Sequence, residues 1–223
     1  PHAPYSLPEE YMDMYDPADI PAPLPPSALG DKPTIHQDYA RYWGVDGFRD
    51  EEWRRLRAAC YGYISLIDDQ IGRILASLRD SGLADDTTVV FSTDHGGMVG
   101  SHGLMDKGPF LYDPVCRIPL IVRPTGHGQR MRRHEIVYNM DLMATFLELA
   151  GVEPPADLEA ASLVPLWTRQ EDAFPKRPAA FAEYHGHQVP AFGRMARTDT
   201  LKYVFNACGL DEFYDLATDP TES

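Results

Sequence analysis

The strongest constraint on the fold is an apolar stripe that runs straight into a β-branched block. Trp53, Leu56, Cys60, Ile64, Ile67, Ile71, Ile74 and Leu78 recur at steps of three and four. This spacing predicts one long helix over residues 49–81. Asp50, Glu51 and Glu52 fall in its first turn, where the helix dipole favours them, and Gly82 follows as a stop. The run 87–93, TTVVFST, comes next. It is apolar on both faces, as a buried parallel strand is expected to be. A second such run covers 118–123, and Leu142, Met143, Phe146, Leu147 and Ala150 give a further helix over 140–150, ended by Gly151.

What flanks these elements differs. Residues 1–36 are too rich in proline (Pro1, Pro4, Pro8, Pro17, Pro21, Pro23, Pro25, Pro26, Pro33) for a helix or a central strand. The interleaved Tyr5, Tyr11, Met12, Met14 and Tyr15 favour a loop packed on the body. After Glu153-Pro154-Pro155 come short strand-like runs at 180–184, 192–198, 201–206 and 212–216, with a turn at Asp199-Thr200. The expected order is α/β over 1–152, then a small α+β piece with antiparallel strands over 153–223.

Charge narrows the partners. The formal net charge of -14 argues against nucleic acid and anionic membrane surfaces. No run approaches a membrane span. The three widely spaced cysteines, Cys60, Cys116 and Cys208, form no zinc or disulfide framework and read as small buried apolar residues. The chain opens at Pro1 without a targeting segment, so the compartment stays open.

The residues able to carry chemistry cluster just past the first strand. Ser92-Thr93-Asp94-His95-Gly96-Gly97 stands at the carboxyl end of a strand, where ligands bind in open α/β sheets. Asp and His are both metal donors. Neighbouring strand residues face opposite ways, so the chain must curl there for both to reach one ion; Gly96 and Gly97 allow it. The ordinary alternative is a capped turn. Gly100-Ser101-His102-Gly103 and Lys107-Gly108 form a second glycine-bracketed loop, in which the lysine can approach an anion or simply be solvated. In Pro1-His2-Ala3-Pro4-Tyr5 two prolines fix the backbone around His2. His36, His127, His134, His185 and His187 show no zinc spacing. There is no Walker loop, dinucleotide fingerprint or nucleophile elbow.

Taken together, Thr93-Asp94-His95-Gly96, Gly100-Ser101-His102-Gly103-Leu104, Lys107-Gly108 and Arg117-Ile118-Pro119-Leu120-Ile121-Val122 resemble the sulfatase family of the alkaline phosphatase superfamily, which includes phosphonate monoester hydrolases. Pro1-His2-Ala3-Pro4-Tyr5, Tyr61 with Asp68-Asp69-Gln70-Ile71-Gly72, Asp141-Leu142 to Ala150-Gly151, and Phe213-Tyr214-Asp215-Leu216 with Asp219-Pro220 and Glu222 extend the resemblance over essentially the whole chain. It implies part of an alkaline-phosphatase-like sheet flanked by helices. It implies that Asp94 and His95 bind a divalent cation, calcium first, with manganese or zinc as alternatives. It implies that Lys107 holds the anionic group and that His2 acts at the ester oxygen. The family nucleophile is a formylglycine made within a C/S-x-P-x-R motif, which these residues lack. The expectation is therefore the C-terminal portion of a longer sulfatase, acting on a small sulfated substrate and inactive without its N-terminal part. Phosphonate monoester or phosphodiester hydrolysis, and a non-catalytic role on a degenerate sulfatase fold, are the alternatives.

Overall fold

The computed structural model describes residues 2–21, 23, 32–126, 130–186 and 189–223. In chain order the elements are α1 (Glu9–Met12), α2 (Ile35–Trp43), α3 (Asp50–Asp80), β1 (Val89–Ser92), α4 (Asp113–Cys116), β2 (Leu120–Arg123), α5 (Asp141–Leu149), α6 (Val164–Trp167), β3 (Ala180–Tyr184), β4 (Gly193–Arg197), β5 (Leu201–Asn206) and β6 (Glu212–Asp215). The chain forms two compact units that interleave in sequence. One comprises Pro1–Ala84, His95–Ile118 and Phe181–Ser223; the other comprises Asp85–Asp94 and Pro119–Ala180. No helix among the described residues is long and apolar enough to cross a membrane.

In the first unit α3 follows the stripe. Trp53 and Cys60 are buried, whereas Ile64 and Ile74 toward its far end are exposed. The helix starts where Glu52 accepts from the Arg49 backbone N–H at 2.8 Å. It ends in a paired closure: Gly82 N–H donates to Arg79 O at 2.9 Å and Leu83 N–H to Leu78 O at 3.2 Å. Gly82 takes the left-handed φ of +73° that this closure requires. Within residues 2–21 the one-turn α1 and a 3-10 turn at Pro17–Asp19 both pack on α3, so this stretch is packed on the body as expected but is not wholly loop. Pro17 opens the 3-10 turn, where its fixed φ suits the first position and no N–H is needed, and Pro8 stands just before α1. Contact is close: a Cβ on Gly62 would stand 2.1 Å from Tyr11 O. Tyr11 donates to Asp69 at 2.7 Å, and Tyr15 pairs with Ser65 at 2.8 Å. Pro1, Pro25 and Pro26 lie outside the described residues. Helix α2 has no clear apolar period in sequence and was not anticipated; it is held by burial of His36 and Tyr39.

The four-strand sheet runs β3-β4-β5-β6, with β4–β5 and β5–β6 antiparallel. Its inward residues Met195 and Val204 pack on Leu111. The expected hairpins are there, although β5 turns Lys202 and Val204 inward and leaves Leu201, Tyr203 and Phe205 exposed. Beneath them lies a buried charge network. Lys202 is fully buried, 3.1 Å from Asp113, and paired with Glu222. Arg197 grips Asp113 through Nε at 3.0 Å and Nη2 at 2.9 Å. Burial opposes ionisation of Asp113, but Arg197 and Lys202 outweigh it and hold the carboxyl low. Of the cysteines, Cys60 is buried, Cys116 half-buried and Cys208 exposed, so the buried reading fails for Cys208.

In the second unit the strand expectation needs correcting. β1 and β2 pair antiparallel, with Val89 opposite Arg123 and Phe91 opposite Ile121. A β-branched block without alternation does not encode its partner's direction, and here the chain returns along β2 in the opposite sense. Nor are both faces buried: Phe91 and Ile121 form an exposed pair. The core is Leu163, Leu166 and Phe174 with Leu142 of α5. Asp141, fully buried, organises this unit. It accepts from Arg177 at 2.6 and 2.7 Å, from Tyr138 N–H at 2.7 Å and from Ala161 N–H at 2.9 Å. Burial opposes its charge, but Arg177 and the two backbone donors prevail and keep the carboxyl below its usual range. A folded-state value below the unfolded one stabilises above the ordinary carboxylate range and is lost as pH falls through the depressed value. Removing one partner of such a pair leaves a buried, uncompensated charge. Arg177→Ala is therefore expected to cost about 3–5 kcal/mol at neutral pH, read by urea unfolding, with the deficit shrinking as the pH is lowered into the acid range.

Candidate functional site

Asp94 stands just past β1, at the end of a segment of the second unit. Ser92 Oγ donates to Pro119 O at 3.0 Å, pinning the strand end to the start of β2. Asn139 Nδ2 donates to Thr93 O at 2.8 Å and to Asp94 O at 3.5 Å. Thr93 Oγ1 donates to Asp94 Oδ1 at 3.1 Å, which orients the carboxylate. Asn139, whose sequence context carried no signal, thus helps to hold the backbone at Thr93 and Asp94.

His95 opens the next segment of the first unit. Its Nδ1 lies 2.8 Å from Gly96 O. A carbonyl oxygen only accepts, so Nδ1 carries a proton, and in the neutral ring Nε2 would then hold the lone pair, the tautomer a metal ligand uses. Gly96 is irreplaceable here for a steric reason: a Cβ would stand 2.0 Å from Pro114 O. That closeness lets Gly96 N–H reach Val115 O at 2.8 Å and Gly97 N–H reach Pro114 O at 2.9 Å. A carboxylate oxygen and an imidazole nitrogen are each of a donor type that divalent cations take. Among the described residues no group of three or more His, Cys, Asp or Glu side chains is poised around one ion.

The loop that follows folds back on itself. Met98 N–H donates to Asp106 O at 2.7 Å and Gly100 N–H to Leu104 O at 2.9 Å. Lys107 leaves this loop one-fifth exposed, its Nζ 3.2 Å from His2 Nε2. It is therefore mostly covered. His2 is anchored by Nδ1, 2.6 Å from Ala3 O, so the same carbonyl argument leaves Nε2 to accept from the Lys107 ammonium. Asp106 Oδ1 lies 3.6 Å from His2 Nε2, and Oδ2 lies 3.6 Å from Lys107 Nζ. Sequence reasoning missed Asp106; its place beside Lys107 was the only signal. The segment bearing His2 is held in turn by Tyr5, hydrogen-bonded to Cys60 on α3.

The remaining histidines sort differently. His36 is buried, its Nε2 3.0 Å from the Tyr112 hydroxyl. His102 is buried in the core and stacks on Tyr112 at 4.1 Å between ring centres. His185 is exposed and pairs with Glu183 at 2.8 Å. His127 and His187 lie outside the described residues.

Residues 1–152 match the family model described as Sulfatase, and residues 100–223 match N-sulphoglucosamine sulphohydrolase, C-terminal. The chain is 32% identical to the "Uncharacterized sulfatase YidJ" of Escherichia coli, over all of this chain and 44% of that protein. It is 30% identical to an arylsulfatase of Clostridium perfringens, over all of this chain and 46% of that protein. It superposes on the phosphonate monoester hydrolase of Agrobacterium radiobacter with a TM-score of 0.81 and 27% identity, covering all of this chain and 50% of that one. The chain thus spans about half the length of the relatives it matches. The expected α/β architecture with a small antiparallel sheet is borne out.

His102 offers a clean test of core placement. Burial, then the charge of Lys32 and the neighbouring His36, lower its pKa to about 4. The unfolded ring takes a proton near its ordinary value while the folded ring resists, so stability falls as pH drops from the ordinary histidine range to about 4. The full penalty is about 3 kcal/mol. His102 has a left-handed φ of +56°, which asparagine tolerates. His102→Asn is expected to flatten this arm of a stability-against-pH curve; an unchanged arm would assign it to another group.

Proposed function

Because the chain belongs to the sulfatase family, we propose that the protein it forms hydrolyses sulfate monoesters, with Lys107 and His2 acting on the ester and Asp94 and His95 holding a divalent cation. The observation that carries this reading is the Lys107–His2 contact of 3.2 Å, made between residues 105 positions apart. A lysine that is merely solvated has no reason to be drawn onto a histidine across that separation.

Each residue's part follows from its chemistry. The Lys107 ammonium binds the anionic group and stabilises charge that grows on it in the transition state. The His2 ring, held by its Nδ1–H on Ala3 O, presents Nε2 to the ester oxygen. As the bond from that oxygen to sulfur breaks, the electron pair stays on oxygen and takes the Nε2 proton, leaving a neutral ring. Asp94 would contribute a carboxylate oxygen and His95 its Nε2 to the cation. A bound cation supplies Lewis-acid stabilisation of the transferring group. Calcium is the family expectation, and because an imidazole nitrogen is unusual for so hard an ion, manganese and zinc are the alternatives. In this reading the attacking group would be the family's formylglycine, for which residues 1–223 hold no C/S-x-P-x-R motif. The partner is a small sulfated molecule, since a net charge of -14 repels long anionic polymers.

A second reading, hydrolysis of phosphonate monoesters, is favoured by the imidazole donor and by the likeness to the Agrobacterium enzyme. Parallel turnover of an aryl sulfate and an aryl phosphonate by the full-length protein separates the two. For the first reading, Lys107→Ala is expected to lower kcat/KM on 4-nitrophenyl sulfate by about 10²–10³. Near-wild-type turnover would remove Lys107 from the site. Asp94→Ala should abolish stoichiometric metal measured by elemental analysis; full occupancy in that variant would make the Asp-His pair structural.

A further inference from the structure

Asp106 has no role in the reading above, yet three observations single it out. Its side chain is only 6% exposed, and Oδ2 is buried without a hydrogen bond among the described residues. A carboxylate oxygen left so is costly unless something compensates it. Its backbone takes a φ of +55°, in the left-handed region, with its carbonyl pinned by Met98 N–H. Such strain persists where the surroundings demand it. Third, its two oxygens stand 3.6 Å from His2 Nε2 and 3.6 Å from Lys107 Nζ.

The difficulty at this pair is electrostatic. His2 must carry a proton to serve a leaving oxygen, but Lys107 is already a cation 3.2 Å away. Two positive charges so close repel strongly. The groups facing Asp106 from neighbouring elements do not help. Tyr5 on the His2 segment and Tyr39 on α2 both feel its charge, and burial keeps each phenol neutral well above pH 7. Cys60 on α3, bonded to Tyr5, is kept neutral by burial too. The carboxylate is left as the balancing charge.

We propose that Asp106 is a positioning residue whose carboxylate lets a protonated His2 and the Lys107 ammonium stand side by side, so that His2 can act as the proton donor. The proposal rests on the roles assigned to His2 and Lys107 above. With the ring neutral, Nε2 accepts from Lys107. With the ring protonated, Nε2–H faces Asp106 Oδ1 until the ester oxygen takes its place.

The test uses the full-length protein with ¹⁵N-labelled histidine, the His2 signal being assigned by its loss in His2→Asn. Asp106→Asn keeps the shape and tolerates the left-handed backbone; Asp106→Gly relieves that backbone and guards against a misfolded first variant. The His2 pKa is expected to fall by about one unit or more in both, with the thermal midpoint of Asp106→Asn little changed. Turnover of phenyl sulfate is expected to fall at least about tenfold further than that of 4-nitrophenyl sulfate, within the range proton transfer contributes. A His2 pKa unmoved in both variants overturns the proposal, whatever happens to turnover. Equal losses on the two esters in His2→Ala would overturn instead the acid role of His2, and the titration would still decide whether Asp106 balances the pair.

Discussion

Much of the first unit's site depends on how closely the chain can pass itself at Gly96. The absence of a Cβ there lets the backbone lie against Pro114, and the hydrogen bonds from Gly96 and Gly97 to Val115 and Pro114 then close a loop that begins at His95. Inside it, Met98 N–H holds the Asp106 carbonyl, and that fixes where Lys107 emerges. Gly108 continues the same logic: at a φ of +52° its missing Cβ leaves room for the Phe110 ring and Tyr39. A larger residue at either glycine would move the lysine. The lysine's position is therefore a consequence of backbone packing more than of its own contacts.

The buried charges carry the second burden. Lys202, Arg197, Asp113 and Glu222 join β4, β5, α4 and the segment after β6. Asp113 N–H also donates to Glu222 Oε2 at 2.7 Å. Burial raises the Glu222 pKa while Lys202 opposes it. Removal of one member strands another in a low-dielectric interior, so the network ties the small sheet to the loop that ends at α4. Lys32 adds to it through the Tyr214 hydroxyl at 2.7 Å and Glu222 O at 3.1 Å. The second unit solves the same problem with one carboxylate, Asp141, and one guanidinium, Arg177.

Where local chemistry is strong, the elements could be read directly. The α3 stripe is a periodic signal that local geometry must obey, and its acidic first turn and Gly82 mark its two ends. α2 escaped because two buried polar-edged side chains, His36 and Tyr39, hold it instead of an apolar stripe. The direction of β1 against β2 escaped because an unbroken apolar block fits either sense. The exposure of Phe91 and Ile121 escaped because apolar character says what a face prefers, not whether something covers it.

By itself the sequence determined the long helix, the strand block and the four short strands, while His2, Asp94, His95 and Lys107 were singled out by resemblance to the sulfatase family. The elements follow from residue type and near-neighbour spacing. Only the tertiary structure decided that Lys107 meets His2, that Asp106 stands against both, that His102 is core, and that two units interleave along the chain. Each of these is a contact between residues far apart in sequence. Such contacts are set by which backbone segments can approach, and no local pattern encodes that.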